Sequence, residues 1–367
     1  MTVKKLTRRL MVGDVRVGGG APISIQSMTN TDTRDAAATL DQIRQLADAG
    51  CQIVRVAVPA TGPGWTLHET KQAITEIVAG SPIPVVGDVH FDYTLALAAL
   101  EAGVQALRIN PGNIGVEERV KAVAEAAGER GVPIRVGVNA GSLEKEILSR
   151  YGHPTAEALV ESALKEIGLL ERYGFQDIKV SVKSSSVPLT LESYRLLSER
   201  IDYPLHVGVS EAGPLWTGTI RSSVGIGTLL AEGIGDTIRV SLAGDPLQEV
   251  RVGRAILKAL ELSQAGADII ACPTCARTQI DVERIASELE ERLRDLRAPI
   301  KIAIMGCAVN GPGEAVEADL GVAGGKTKAL LFKGGKRVGW YAKGDLLQVL
   351  LDEVEKITGE LSKKEES

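Results

Sequence analysis

The chain has 367 residues, 44% of them hydrophobic and 24% charged, and carries a formal net charge of -5. That length exceeds the usual single core and predicts two domains, while the acidic balance argues against a generic nucleic-acid binder. Four cysteines are too few for a disulfide framework in so long a chain and point to a reducing compartment. No run of about 18 apolar residues marks a membrane span, and the charged opening Met1–Leu10 lacks the apolar core of a secretory signal. A soluble cytoplasmic protein is expected.

Met11–Gly20 reads as a short hairpin with a glycine-rich exit. Strand-like apolar runs then alternate with amphipathic helix patterns. The strands are expected at Ile23–Thr29, Ile53–Val58, Val85–His90, Ala106–Asn110, Ile134–Asn139, Ile178–Ser184, Leu205–Ser210 and Ile238–Leu242. The intervening helices are expected at Ala36–Ala49, Leu67–Ala79, Tyr93–Ala102, Glu117–Gly128, Ala156–Tyr173, Leu191–Glu199, Ser222–Glu232 and Pro246–Ala265, several closed by a glycine stop. Eight strands alternating with eight helices predict an α/β fold, a (β/α)8 barrel of the TIM type, over residues 1–266. A doubly wound open sheet competes, but Gln26-Ser-Met-Thr-Asn30 is not the glycine fingerprint its first strand usually precedes.

The polar residues of these strands suggest a site at their carboxyl ends, where barrel enzymes carry their chemistry. Arg55, Asp88, His90, Arg108, Asn110, Arg135, Asn139, Lys183, Arg239 and Ser241 lie in strands, and Glu211 follows the seventh. The pairs 108/110, 135/139 and 239/241 share parity, so each pair points to one face. Four arginines and a lysine converging in an acidic protein would trap an anion, and Arg forks suit a diphosphate better than a lone carboxylate. Any single Arg can instead be a surface or bottom-layer charge. Lys183-Ser-Ser-Ser186 and Ser222–Thr228 look like a strand exit and a helix start, where free backbone N–H groups can hold phosphate. His90 is a candidate proton carrier; His206 reads as structural, and Cys51 as a small buried residue.

Beyond Gly266 the pattern changes to a small α+β domain over residues 267–367. Strands are expected at Asp268–Cys272, Ile300–Met305, Gly321–Ala323, Ala329–Lys333 and Arg337–Tyr341, with helices at Asp281–Leu296 and Gly344–Ile357. Cys272-Pro-Thr-Cys275 and Cys307, in the Gly/Pro-rich loop Met305–Glu314, read as a soft-metal site, iron–sulfur or zinc. Three thiolates leave one position of such a centre free for an exchangeable ligand, and Glu314 lies close enough in sequence to take it. A structural zinc site, or a redox CxxC beside an unrelated core cysteine, is the plainer alternative.

At these residues the chain resembles the 4-hydroxy-3-methylbut-2-enyl diphosphate synthase family, iron–sulfur enzymes of the non-mevalonate isoprenoid pathway, in its short bacterial form. The resemblance is carried by Ser24–Arg34, Leu107-Arg-Ile-Asn-Pro-Gly-Asn-Ile-Gly115, Arg135-Val-Gly-Val-Asn-Ala-Gly-Ser-Leu143, Ser210-Glu-Ala-Gly213, Cys272-Pro-Thr-Cys-Ala-Arg277 and Gly306-Cys-Ala-Val-Asn-Gly-Pro-Gly-Glu314. It implies reductive ring opening of 2-C-methyl-D-erythritol 2,4-cyclodiphosphate in the barrel. It also implies a [4Fe–4S] cluster held by Cys272, Cys275, Cys307 and an exchangeable Glu314. Arg55, Arg108, Arg135, Lys183, Arg239 and Ser241 would clamp the diphosphate with help from Asn110 and Asn139. Asn310 would help at the cluster, and Glu211 would donate a proton. A flavodoxin or ferredoxin donor and a homodimer with sites shared between subunits are further implications. No nucleic-acid or membrane partner is expected.

Two other classes compete on the residues alone. A cobalamin- or pterin-dependent methyl-transfer barrel also carries Asn, Asp, Lys and Arg at strand ends, but does not require the cysteine and glutamate loop. A non-enzymatic metal carrier with a phosphate-binding barrel calls for a saturated centre, whereas this loop offers three cysteines and a carboxylate.

Overall fold

The computed structural model describes residues 4–62, 64–307, 313 and 317–359. The chain divides into two compact units, residues 1–262 and 263–367.

The first unit opens with an antiparallel hairpin, β1 (Leu10–Val12) and β2 (Val15–Val17). Leu10, Val12 and Val17 pack against Ile53, Val86 and Ala106, at or near the starts of three barrel strands. The hairpin thereby covers the amino-terminal end. Eight parallel strands follow: β3 (Ser24–Met28), β4 (Ile53–Ala57), β5 (Val85–Asp88), β6 (Ala106–Ile109), β7 (Ile134–Asn139), β8 (Ile178–Lys183), β9 (His206–Val207) and β10 (Thr237–Ile238). They pair in chain order from β3 to β8, and β10 pairs with both β3 and β9. A parallel bridge between Val180 and Leu205, with the Val180 N–H donating to Pro204 O at 2.9 Å, joins β8 to the approach of β9. The fold is a (β/α)8 barrel.

The outer layer is α1 (Ala36–Asp48), α2 (Leu67–Gly80), α3 (Tyr93–Glu101), α5 (Glu117–Glu129), α7 (Ala156–Glu171), α8 (Val187–Arg200), α9 (Leu215–Ala231) and α10 (Pro246–Ala259). Two short helices, α4 (Pro111–Ile114) and α6 (Lys145–Tyr151), sit in the loops after β6 and β7. Many starts are written locally: Asp35, Thr66, Asp92, Thr155, Ser186 and Asp245 each cap a first turn with a side-chain oxygen. Valines and isoleucines on the outward strand faces meet the apolar helix stripes in one continuous core. Each such side chain contributes roughly 1.5–3 kcal/mol on burial.

One expectation fails here. Ser222–Thr228 is the middle of α9, which begins at Leu215, so its N–H groups are spent inside the helix and offer no phosphate cradle. The glycines that disguised the helix have a packing reason. A Cβ on Gly218 would stand 2.5 Å from Leu242 Cδ2, and one on Gly225 would stand 2.6 Å from Val209 Cγ2. In the same way α10 ends at Ala259, short of the expected Ala265, and β10 spans only two residues where Ile238–Leu242 was expected.

The second unit is a five-stranded sheet in the order β11 (Ala267–Ala271), β12 (Ile300–Met305), β13 (Leu320–Gly324), β14 (Lys328–Lys333) and β15 (Lys336–Ala342). The first three strands are parallel and the last two add antiparallel. Helices α11 (Val282–Arg292) and α12 (Leu346–Thr358) cover one face through Ile285, Leu289, Leu346, Leu350 and Val354. The other face carries Ala303, Met305, Ala323, Leu330 and Phe332, with Cys272 packed against them. Among the described residues no helix is long and apolar enough to cross a membrane.

Gly208, beyond β9, offers a direct test of barrel packing. A Cβ there would stand 2.3 Å from Arg239 O and 2.9 Å from Lys183 Nζ. Gly208→Ala should destabilise the barrel by about 1–3 kcal/mol through overpacking, read as a lower thermal midpoint. An unchanged midpoint would show that the two strand ends can part at no cost.

Candidate active site and candidate metal centre

The inward faces of the barrel strands build a cationic interior in layers. Asp88, at the end of β5, is buried and receives Arg108 Nη1 at 3.2 Å, with Arg55 Nε 3.6 Å away. Burial alone would raise its carboxyl, but Arg55, His90, Arg108 and Arg135 outweigh that and hold it well below the usual range. Arg108 Nη1 also lies 2.9 Å from His90 Nε2, and its Nη2 donates to Gly137 O at 3.3 Å. Arg55 is pushed down to about 10, first by burial, and two of its nitrogens face the Met28 sulfur, a weak acceptor.

Arg135 sits near the start of β7, a layer below the mouth. Its Nη1 donates to Ser181 Oγ at 2.7 Å, while Nε and Nη2 find no partner among the described residues. Burial, then Arg55 and Arg108, lower its proton affinity well below the ordinary value. Lys183, at the end of β8, is lowered likewise by burial and by Arg135, Arg239, Arg55 and Arg108. Arg239 is braced by Glu249 from α10, Nη2 to Oε1 at 3.2 Å, and Glu249 also accepts from Ser27 Oγ at 2.9 Å and from the Leu242 N–H at 3.0 Å. The cations therefore outnumber their carboxylates, and the surplus is the site's main electrostatic property.

A cleft of ≈ 720 Å³ opens above this interior, lined among others by Asn139, Lys183, Ser210, Glu211, Arg239 and Ser241. Five of the expected site residues thus share one wall: Asn139, Lys183, Glu211, Arg239 and Ser241. Arg55, Arg108 and Arg135 lie in the interior beside them rather than on that wall, and Asn110 caps α4, its Oδ1 accepting from the Asn113 N–H at 3.2 Å. Glu211 has φ +51°, an uncommon conformation for a residue other than glycine, which turns the chain sharply at the mouth.

Further residues belong to this interior. Asp88, seen in its strand but given no role, and Glu249 anchor the arginines; Ser181 and Lys179 complete the inward row of β8. Lys179 and Ser181 share the parity of Lys183, which was the available signal. Glu249 stands on the buried stripe of α10 beside Val250 and Val252, where a carboxylate is out of place unless it has a partner. His206 is structural, as expected: it is buried, its Nδ1 lies 2.6 Å from Thr237 Oγ1, and burial lowers its proton affinity. Cys51 is buried with its thiol pushed up to about 12 by burial, an inert core residue.

In the second unit, parallel pairing puts the ends of β11 and β12 side by side. The Cys272 N–H donates to Ile304 O at 3.1 Å, and the Gly306 N–H donates to Cys272 Sγ at 3.0 Å. Cys272 and Cys307 are half-buried and Cys275 is exposed, in a turn closed by Thr278, whose Oγ1 accepts from the Cys275 N–H at 3.0 Å. A backbone N–H aimed at sulfur suits a thiolate, and the donor set suits a soft metal or an iron–sulfur cluster. Among the described residues no three His, Cys, Asp or Glu groups converge as a metal site. Asn310 and Glu314 lie outside the described residues.

The molecule is therefore a (β/α)8 barrel with an anion-seeking interior, followed by a small α+β unit that carries cysteines at its strand ends. A family model described as the GcpE TIM-barrel domain matches residues 7–254, and one described as the GcpE protein C-terminal domain matches residues 268–356. The chain belongs to the GcpE family. It is 55% identical over 358 residues to a 4-hydroxy-3-methylbut-2-en-1-yl diphosphate synthase (flavodoxin) of Caldanaerobacter subterraneus subsp. tengcongensis, covering 98% of this chain and 99% of that one. A protein of the same name from Geobacter sulfurreducens is 57% identical over 358 residues, with the same coverage. A solved Yersinia pestis dihydropteroate synthase in complex with a sulfonamide drug matches at TM-score 0.50 and 9% identity, over 69% of this chain and 100% of that one, a likeness of fold alone.

Lys179 isolates the electrostatic cost of this interior. It is fully buried, its Nζ has no partner among the described residues, and burial followed by Arg135 push it down to about 7 against some help from Asp236. The folded chain then binds less proton at this group than the unfolded chain between pH about 7 and the ordinary lysine value of 10.5, so stability should rise with pH across that window. The contribution approaches about 1.4 kcal/mol per pH unit for one full proton. Lys179→Met should flatten this rise in urea titrations at pH 7, 8 and 9, and an unchanged slope would mean that the buried amine is already relieved.

Proposed function

We propose that the chain catalyses the reductive ring opening and dehydroxylation of 2-C-methyl-D-erythritol 2,4-cyclodiphosphate to 4-hydroxy-3-methylbut-2-enyl diphosphate. The observation that carries the reading is the surplus of buried cations, Arg55, Arg108, Arg135, Lys183 and Arg239 against Asp88 and Glu249, beside a polar cleft at the barrel mouth. Such a surplus favours a ligand bearing several negative charges, and a diphosphate meets it better than a monocarboxylate. The names carried by the 55% and 57% identical relatives give the same product, 4-hydroxy-3-methylbut-2-en-1-yl diphosphate.

In this reading residues 1–266 bind substrate and residues 267–367 hold a [4Fe–4S] cluster through Cys272, Cys275, Cys307 and Glu314. Bound there, the cluster would supply single electrons at low potential. The barrel does the rest. Arg55, Arg108, Arg135, Lys183, Arg239 and Ser241 hold the diphosphate with Asn110 and Asn139, and they stabilise the charge that grows on phosphate as its ring C–O bond opens. Glu211, at the mouth, gives the proton with which the expelled hydroxyl leaves as water, and Asn310 helps orient that hydroxyl. Overall the substrate takes up two electrons, opens one C–O bond to phosphate and loses one oxygen as water. A flavodoxin donor follows from the relatives' names, with ferredoxin the alternative. A cytoplasmic homodimer with sites shared between subunits completes the proposal.

The test is Mössbauer and EPR spectroscopy on anaerobically purified, iron-57-labelled protein, paired with dithionite-driven turnover of the cyclodiphosphate. The expected result is a [4Fe–4S] spectrum that responds to the cyclodiphosphate and is altered in Glu314→Ala. Lys183→Met should raise KM by about tenfold or more, the loss of one charged hydrogen bond of ~1.5–3 kcal/mol. Stoichiometric zinc, or a cluster indifferent to substrate, would sink the reading and favour a metal carrier.

A further inference from the structure

The protein is acidic overall, yet the stretch from Leu320 to Lys343 contains no Asp or Glu and carries Lys326, Lys328, Lys333, Lys336, Arg337 and Lys343. It forms β13 to β15, with β15 at the edge of the sheet. Lys333 is paired with Glu353 at 2.8 Å, and Lys343 Nζ donates to Lys326 O at 3.0 Å. Lys326, Lys328, Lys336 and Arg337 are exposed and make no ion pair with any described residue. Lysines on an edge strand commonly deter the addition of foreign strands. That role does not explain the apolar groups among them: Trp340 is 57% exposed and Val338 50%.

The strand register shows where these side chains point. Leu330 pairs with Trp340 and Phe332 with Arg337, and the register shifts between Leu331 and Phe332. Because of that bulge, Arg337 and Trp340 stand on one sheet face with Lys328, Leu330 and Phe332. That face is opposite the one covered by α11 and α12, and Cys272, at the end of β11, packs against side chains of both faces. Glycines continue the contact inward. The Trp340 ring lies so close to Gly325 that a Cβ there would meet it at 2.9 Å, and a Cβ on Gly324 would meet Gly306 O at 2.4 Å. Gly306 in turn donates its N–H to Cys272 Sγ at 3.0 Å. An unbroken run of packed groups therefore joins an exposed indole, ringed by unpaired cations, to a cysteine of the candidate metal centre.

We propose that the basic face around Trp340, formed by Lys326, Lys328 and Arg337, is the docking surface for an acidic electron-carrier protein that delivers electrons to the cysteine centre. The proposal rests on the reductive function set out above. Charge complementarity chooses the partner: unpaired cations around an apolar anchor suit a carrier whose redox group is rimmed by carboxylates, and such attraction acts mainly on the rate of encounter.

The experiment compares the full-length holoprotein with a Lys328→Glu/Arg337→Glu variant at low ionic strength, using reduced flavodoxin or dithionite as electron source. In the variant the half-saturating flavodoxin concentration should rise about tenfold or more while dithionite-driven turnover stays unchanged, and added salt should produce the same rise in the parent protein. An unchanged half-saturating concentration overturns the proposal, as does a parallel fall of dithionite-driven turnover. A smaller sedimenting species in the variant without donor also overturns it, in favour of a self-interface. If neither reductant supports turnover in the parent protein, the proposed function fails, and calorimetry with oxidised flavodoxin judges the surface separately. Binding lost in the variant supports docking, and equal binding to both proteins refutes it.

Discussion

The barrel is organised by a shortage of negative charge. Arg55, Arg108, Arg135, Lys179, Lys183 and Arg239 point into a space whose anchoring carboxylates are Asp88 and Glu249. Burying a cation without a full partner is costly, and the depressed proton affinities of Lys179, Lys183 and Arg135 are that cost seen from the proton's side. The surrounding structure holds the groups in place nonetheless. Strand pairing fixes their Cα positions, and Asp88 and Glu249 fix the guanidinium forks of Arg108 and Arg239. An anion entering the cleft finds its donors already ordered, so it need not supply the entropy of assembling them.

Much of this was visible before any coordinates. The alternation of apolar runs and amphipathic stretches was legible because β4 to β8 are buried on both faces and read as continuous Val/Ile-rich segments. Shared parity within strands likewise foretold which polar side chains face together. Three things hid. The beginning of α9 was masked by glycines that lower helix propensity but are required by the approach of Leu242 and Val209. Glu249 was concealed in an amphipathic helix, where its place on the apolar stripe beside Val250 and Val252 marks it as buried but does not name its partner. Arg135 read as a mouth residue by analogy with its neighbours, yet it lies low in β7, because strand length, not residue type, sets the height of a side chain in a barrel.

The second unit solves a different problem with the same device. Cys272 and Cys307 are far apart in sequence, but the parallel pairing of β11 with β12 sets the two strand exits next to one another. Gly306, whose N–H reaches Cys272 Sγ, sits in a tight place: a Cβ there would be 3.0 Å from the Thr278 methyl group. The helix-covered face supplies much of the stability of the sheet, and the cysteines lie beyond its strand ends, where Cys272 packs against side chains of both faces. The division resembles that of the barrel, where the hairpin seals one end and the other is left for chemistry.

The electrostatics of the two states of the barrel are then coupled to protons. Lys183 holds its proton weakly because of burial and the four neighbouring cations Arg135, Arg239, Arg55 and Arg108. A polyanion placed among them reverses the sign of the local field and restores the ammonium's stability, so ligand binding and proton uptake at Lys183 become one linked event. The same argument runs backward on release. A ligand that keeps its negative charges keeps Lys183 charged, and departure of the anion returns the amine to the environment that disfavours its proton. The surplus of positive charge that selects the ligand therefore also makes its binding depend on pH, with no residue added for the purpose.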